Sequence, residues 1–255
     1  MIPAQKIVPL PRCSTSVDLS YLRLLHLADS AFPIGTLAHS FGIESMVSAA
    51  LLSPADLELF LRGYLEEAGV VEAVFCREAA RLARESEVEF PSARWLEINE
   101  RLAALKPARE ARAGSAALGR NFLRAVLALG ESRILRNALE PAEESSRPES
   151  SNYHTCVIEH SPAFGLVGGA LEFEEDSVVL AYLHQFVASA VSAFQRLLPL
   201  GQTHATRILW NLKPAMMEAA SRSAACSLDN FSSFTPLLDW GAMEHPALRT
   251  RLFIS

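Results

Sequence analysis

Blocks of Ala- and Leu-rich sequence at helical spacing, each ended by proline or glycine, leave this chain little choice but an all-helical fold. In "DLSYLRLLHLADS", Leu19, Leu22, Leu25, Leu27 and Ala28 fall on one broad face of a helix that Asp18 is placed to cap. The helix should stop before Pro33, because a proline drives the preceding Phe32 out of the α region. A second helix is predicted from near His39 to Leu52. Ser53, Pro54 and Asp56 then form a start signal for a long segment, with Gly63 and Gly69 as places to bend. Pro107 closes the next helix, and "AREARAGSAALGRNFLRAVLALG" runs to near Gly130, its small residues allowing close helix approach. "SPAFGLVGGALEF", with Ser161 as cap, is apolar all round, the mark of a buried core helix. A longer apolar helix starts near Asp176, and Pro214 splits the helical sequence that follows. Strand-like alternation is confined to "YHTCVIEH" and "EDSVVLAYL". The expectation is one all-α, bundle-like domain of about eight to ten helices spanning residues 18–255.

Several function classes are disfavoured. With 255 residues, half of them hydrophobic, the chain can bury a sizeable core. A net charge of −6 argues against a general nucleic-acid binder. Residues 1–17 read as a flexible leader without a signal peptide's apolar run, and 140–154, acidic and proline-containing, read as a mobile loop. No stretch of 18 uncharged apolar residues with clean flanks is evident, so no membrane span is expected. Cys13, Cys76, Cys156 and Cys226 form no CxxC pair and suggest no disulfide framework. The default is a protein of the reducing cytoplasm.

The densest chemistry sits in "DSAFPIGTLAHSFGIES", which gathers Pro33, Gly35, His39, Ser40, Gly42 and Glu44. A hydrolytic pair of His39 with Ser40 is disfavoured, since neighbours on a helix point about 100° apart, and no G-x-S-x-G elbow occurs. The better reading is a turn at Pro33 and Gly35, a cap by His39 or Ser40, and Glu44 reaching back as in a capping box. "HTCVIEH" offers His154, Cys156 and His160 as metal ligands, but no second cluster completes a site, so no metal is assigned. Nor is there a phosphate loop, and no cofactor is assigned. In "PLGQTHATRIL", a break at Pro199 and Gly201 precedes Gln202, Thr203, His204 and Arg207. These form either a buried polar knot or a surface read by a partner. The final "ALRTRLFIS", within a tail from 229 to 255, places Leu252, Phe253 and Ile254 after two arginines. The triplet either folds back on its own core or docks into a partner, and burying Leu and Phe contributes about 1.5–3 kcal/mol each.

Three of these blocks together resemble the UreF family of urease accessory proteins. "LLHLADSAFPIGTLAHSFGIE" is similar to the family's N-terminal signature, with Thr36 where a second glycine is usual and Leu37 where an aromatic is common. "LPLGQTHATRIL" resembles its second block and "RTRLFIS" its terminal one, in the right order along the chain. The resemblance implies an all-α, non-enzymatic accessory protein that dimerises. It implies binding to a second accessory protein (UreD, or UreH in some systems), recruitment of the GTPase UreG, and nickel delivery to apo-urease. It assigns tail docking onto UreD to Arg251, Leu252 and Phe253. The surface facing UreG or the dimer mate falls on the blocks holding Pro33, Gly35, His39, Ser40, Gly42 and Glu44, and Gly201, Gln202 and Arg207. An arginine such as Arg207 could act in trans on GTP hydrolysis. The alternatives are a metal-dependent all-α enzyme with a cleft built on His39, Glu44 and His204, or a helical interaction module unrelated to urease.

Overall fold

A computed structural model describes residues 15–86, 89–144 and 156–255. Most of the predicted leader and of the predicted loop lies outside these residues. Among them the architecture is all-α. α1 (Thr15–Leu27), α2 (Ile43–Ser48), α3 (Leu57–Tyr64), α4 (Val70–Glu85), α5 (Ser92–Ala104) and α6 (Arg109–Leu129) form the first half. α7 (Arg133–Glu144), α8 (His160–Ala170), α9 (Glu175–Leu197), α10 (Gln202–Asn211), α11 (Lys213–Ala224) and α12 (Pro236–Glu244) complete it. α3 runs into α4 through a π-helical turn, Leu65–Gly69, at one of the two glycines expected to bend the segment. The one β-type pairing among the described residues is an isolated bridge between Ser227 and Asn230. "EDSVVLAYL" is helical, the first turns of α9.

α8 is the centre of the molecule. Every residue from His160 to Gly169 is buried, as its all-round apolarity requires. It packs flush on α4: a Cβ on Gly165 would lie 1.9 Å from the Cys76 carbonyl oxygen. A side chain there would force the helices apart. α9 has the length and hydropathy to cross a membrane, which the sequence reading missed, but 61% of its apolar window is buried inside the fold. Its N-terminus is tied to α4 and α11 by Arg77, which reaches Glu175 at 2.7 Å, Asp176, Ser223 Oγ at 2.8 Å and the Ala220 carbonyl at 2.8 Å.

Several expected boundaries shift. Asp18 lies inside α1 (Thr15–Leu27) and is not its N-cap. Its Leu19, Leu22 and Leu25 are half-exposed, and Leu24, Leu27 and Ala28 are the buried face. Glu159, not Ser161, holds the N-cap position of α8, without a side-chain cap, and the Ser161 hydroxyl donates to the Glu72 carboxylate. Residues 140–144, assigned to the loop, continue α7. The helix expected from His39 to Leu52 shrinks to α2. Phe41 (φ 49°) and Gly42 (φ 90°) are left-handed, which no α-helix tolerates.

Candidate functional site

The corner between α1 and α2 is built on backbone that only special residues permit. Ile34, 1% exposed, pins the turn to the core, and Gly35 (φ 94°) reverses the chain into a short 3-10 turn, Thr36–Ala38. His39 is extended, buried, and stacked on Phe41 with ring centroids 5.6 Å apart. Gly42 abuts α12 so closely that a Cβ would lie 2.7 Å from the Ala242 nitrogen. Glycine is required there twice over, for φ and for space.

The last residues of the chain lie along this corner. Ile254 N–H donates to the Ala38 carbonyl at 2.8 Å. The Ser40 and Phe41 N–H groups donate to the Ser255 carbonyl oxygen at 2.5 and 3.2 Å. His39 Nδ1 stands 2.6 Å from Ser255 Oγ. Glu44, buried on α2, accepts from the N–H groups of Leu252 (2.6 Å, Oε1) and Phe253 (3.1 Å, Oε2). Phe253 is buried beneath the Arg196 guanidinium, whose carbon is 4.4 Å from the ring centroid, and Arg196 donates to the Leu37 carbonyl. α6 comes close because Gly114 has no side chain: a Cβ there would lie 2.8 Å from Ser255 Oγ.

A second tier of charge supports Glu44. His245, fully buried, lies with Nε2 3.0 Å from Glu44 Oε2 and Nδ1 2.6 Å from Glu110 Oε2. Each ring nitrogen thus faces a carboxylate oxygen. Glu110 also pairs with Arg251 at 3.0 Å. One chain of contacts thus links α6, the 3-10 turn after α12, α2 and the tail. Burial lowers the pKa of His39. Such an arrangement can hold a peptide segment in an extended conformation by its main chain.

The structure therefore unites two of the three sequence blocks and separates the third. Pro33 and Gly35 are at the exposed turn, and His39, Ser40, Gly42 and Glu44 are buried under the tail. Of the two readings of the terminal triplet, the chain folds back, and alternately so: Phe253 is inside, while Leu252 and Ile254 are 53% and 68% exposed. The capping box does not form. Gly42 is the N-cap of α2 without a side-chain cap, and Ser40 Oγ reaches the Glu44 N–H at 3.4 Å. The left-handed pair at 41–42 carries Ser40 away from cap geometry, and the tail N–H groups take the Glu44 carboxylate instead.

Gly201, Gln202, His204 and Arg207 are exposed at the start of α10, which decides for a surface against a buried knot. His204 is exposed on α10, whereas His39 and Glu44, named with it in the enzyme reading, are buried beside the tail. His154 lies outside the described residues, and His160 opens α8, packed edge-on to Tyr182 with centroids 5.4 Å apart. Among the described residues no three His, Cys, Asp or Glu side chains group as a metal site. The sequence reading missed His245, Glu110 and Arg196. Isolated charges on separate helices carry no local signal. Gly114, by contrast, stood in a run of small residues.

Fold and site define an all-helical protein in which an N-terminal corner and the C-terminal segment make one surface unit. Residues 51–213 match the UreF family model. The chain is 32% identical over 238 residues to the urease accessory protein UreF of Bradyrhizobium sp. (strain BTAi1 / ATCC BAA-1182), covering 91% of each chain. It is 30% identical over 240 residues to the protein of that name from Corynebacterium glutamicum (strain R), covering 94% of this chain and 99% of the relative. This chain belongs to the UreF family of urease accessory proteins.

Proposed function

We propose that the protein serves urease maturation as a non-catalytic scaffold. In this reading it bridges a UreD/UreH-type accessory protein and the GTPase UreG, so that nickel, as cargo, reaches apo-urease. It acts as a homodimer, in the cytoplasm. Family membership supports the maturation role. The observation that carries the scaffold reading is the tail held on the corner. Its backbone is fixed by Glu44, Ala38, Ser40 and Phe41, while Leu252, Ile254 and Leu37 (41% exposed) face outward beside Arg251. A partner meets a pre-ordered apolar strip and loses less entropy on binding than it would with a free tail. The exposed start of α10, with Arg207 in no ion pair among the described residues, is the separate surface offered to UreG.

Co-purification with a UreD/UreH-type partner tests this. Capture is expected from the full chain, and lost both on removal of residues 249–255 and in Leu252→Asp. The second variant keeps the tail's main-chain hydrogen bonds. Undiminished capture by either variant would refute docking through the tail.

A further inference from the structure

A cavity of about 370 Å³, large enough for a small organic molecule, opens between α4, α6, α9 and α12. Its walls are aromatic. Tyr64 and Phe186 stack with centroids 4.2 Å apart, Phe41 lies 6.0 Å from Phe186, and Tyr182 completes the lining. Its floor is charged. Lys106 Nζ lies 3.0 Å from both Glu72 Oε1 and Glu159 Oε2. Burial pushes the lysine pKa down, but these two carboxylates outweigh it and hold the amine charged. Glu72 and Lys106 line the cavity, and Glu159 lies behind them.

Two further groups on the wall want a positive or donating partner. Asp239 accepts from Thr235 Oγ1 at 3.2 Å through Oδ2, and its Oδ1 has no partner among the described residues. No cation pairs with it there, and burial raises its pKa. His160 is buried, and its Nε2 lacks a hydrogen-bond partner. Its ring stands between this cavity and a smaller one beside Ser189. Burial drives its pKa down to about 4, so the imidazole is neutral and able to accept a proton donor.

We propose that this cavity binds a small organic ammonium ion with an apolar body. Aromatic faces attract a cation through their quadrupoles. Asp239, which no cation pairs among the described residues, favours positive charge and disfavours an anion. A neutral apolar molecule would gain the walls but leave Asp239 uncompensated.

The test titrates the full-length chain with phenethylammonium at neutral pH by calorimetry and NMR, beside phenethyl alcohol and 3-phenylpropionate as neutral and anionic analogues. Saturable one-to-one binding is expected for the ammonium ion, with the alcohol about tenfold weaker and no binding of the carboxylate. Asp239→Asn, which keeps the shape and an acceptor for Thr235, should weaken binding about fivefold. Ala111→Phe, which fills the cavity from α6, should abolish it, with circular dichroism verifying the fold. Absence of saturable ammonium binding would overturn the proposal. So would equal affinity for the alcohol or the carboxylate, or an affinity untouched by both substitutions.

Discussion

Replacing Glu44 by glutamine isolates the group that holds the tail. The substitution preserves size and removes one acceptor. Glu44 Oε1 serves the Leu252 N–H at 2.6 Å, and Oε2 serves the Phe253 N–H at 3.1 Å and His245 Nε2 at 3.0 Å. A glutamine must turn its NH2 toward one of these donor sets, whichever way it is flipped. At least one charge-assisted bond is lost and one buried donor is stranded. Together these cost about 2–4 kcal/mol. Because the tail can open without unfolding the helices, this cost appears first as local opening. At a factor of ten per 1.4 kcal/mol, backbone exchange of residues 252–254 should accelerate about 30-fold to several hundred-fold. Hydrogen–deuterium exchange mass spectrometry on a peptide covering 249–255 reads this directly, with α8 peptides as internal control. Exchange of the tail within about twofold of the parent protein would show that Glu44 does not hold it.

Gly42→Ala should cost about 2–3 kcal/mol or more in chemical denaturation, since it joins a positive φ to a clash with the α12 backbone, whereas Gly35→Ala, at φ 94° in open space, should cost about 1 kcal/mol; similar costs for the two would refute the close approach of α12. Arg77→Ala strands partners on two helices, Glu175 of α9 and Ser223 and the Ala220 carbonyl of α11, and should lower stability by about 3–5 kcal/mol, visible in the urea midpoint. His160, with a folded pKa of about 4 against an ordinary 6.5, binds its proton more readily when unfolded. Its contribution is therefore fully present above pH 6.5 and declines by up to about 3 kcal/mol as pH falls to 4. His160→Phe should flatten the stability profile in that window, and an unchanged slope would exclude His160 as its source. Arg207→Ala, exposed and without an ion pair among the described residues, should change the melting temperature by less than about 2 °C, so any loss of urease activation by that variant reports on a partner surface.

The helices were legible because their signals are local. Apolar spacing, Pro107, Pro214 and Gly130 mark the ends of segments by local backbone chemistry, although Pro141 lies inside α7, and the all-round apolarity of residues 160–169 announced a core helix. The α1 face was misread because amphipathicity states how wide an apolar stripe is, not how much of it a single chain can cover. α2 was read too long because the left-handed conformation of Phe41 has no signature in its residue type.

The sequence by itself determined an all-α chain of the UreF kind, with a glycine-shaped corner near one end and an apolar hook at the other. Only the tertiary structure decided that corner and hook are the same place. Glu44 and Leu252 lie 208 positions apart, and nothing local in either stretch encodes the hydrogen bond between them. That bond forms where α6 brings Gly114 and Glu110, and the turn after α12 brings His245, around the buried Glu44. A buried carboxylate must find donors, and in this fold the N–H groups of the tail come within reach beside His245.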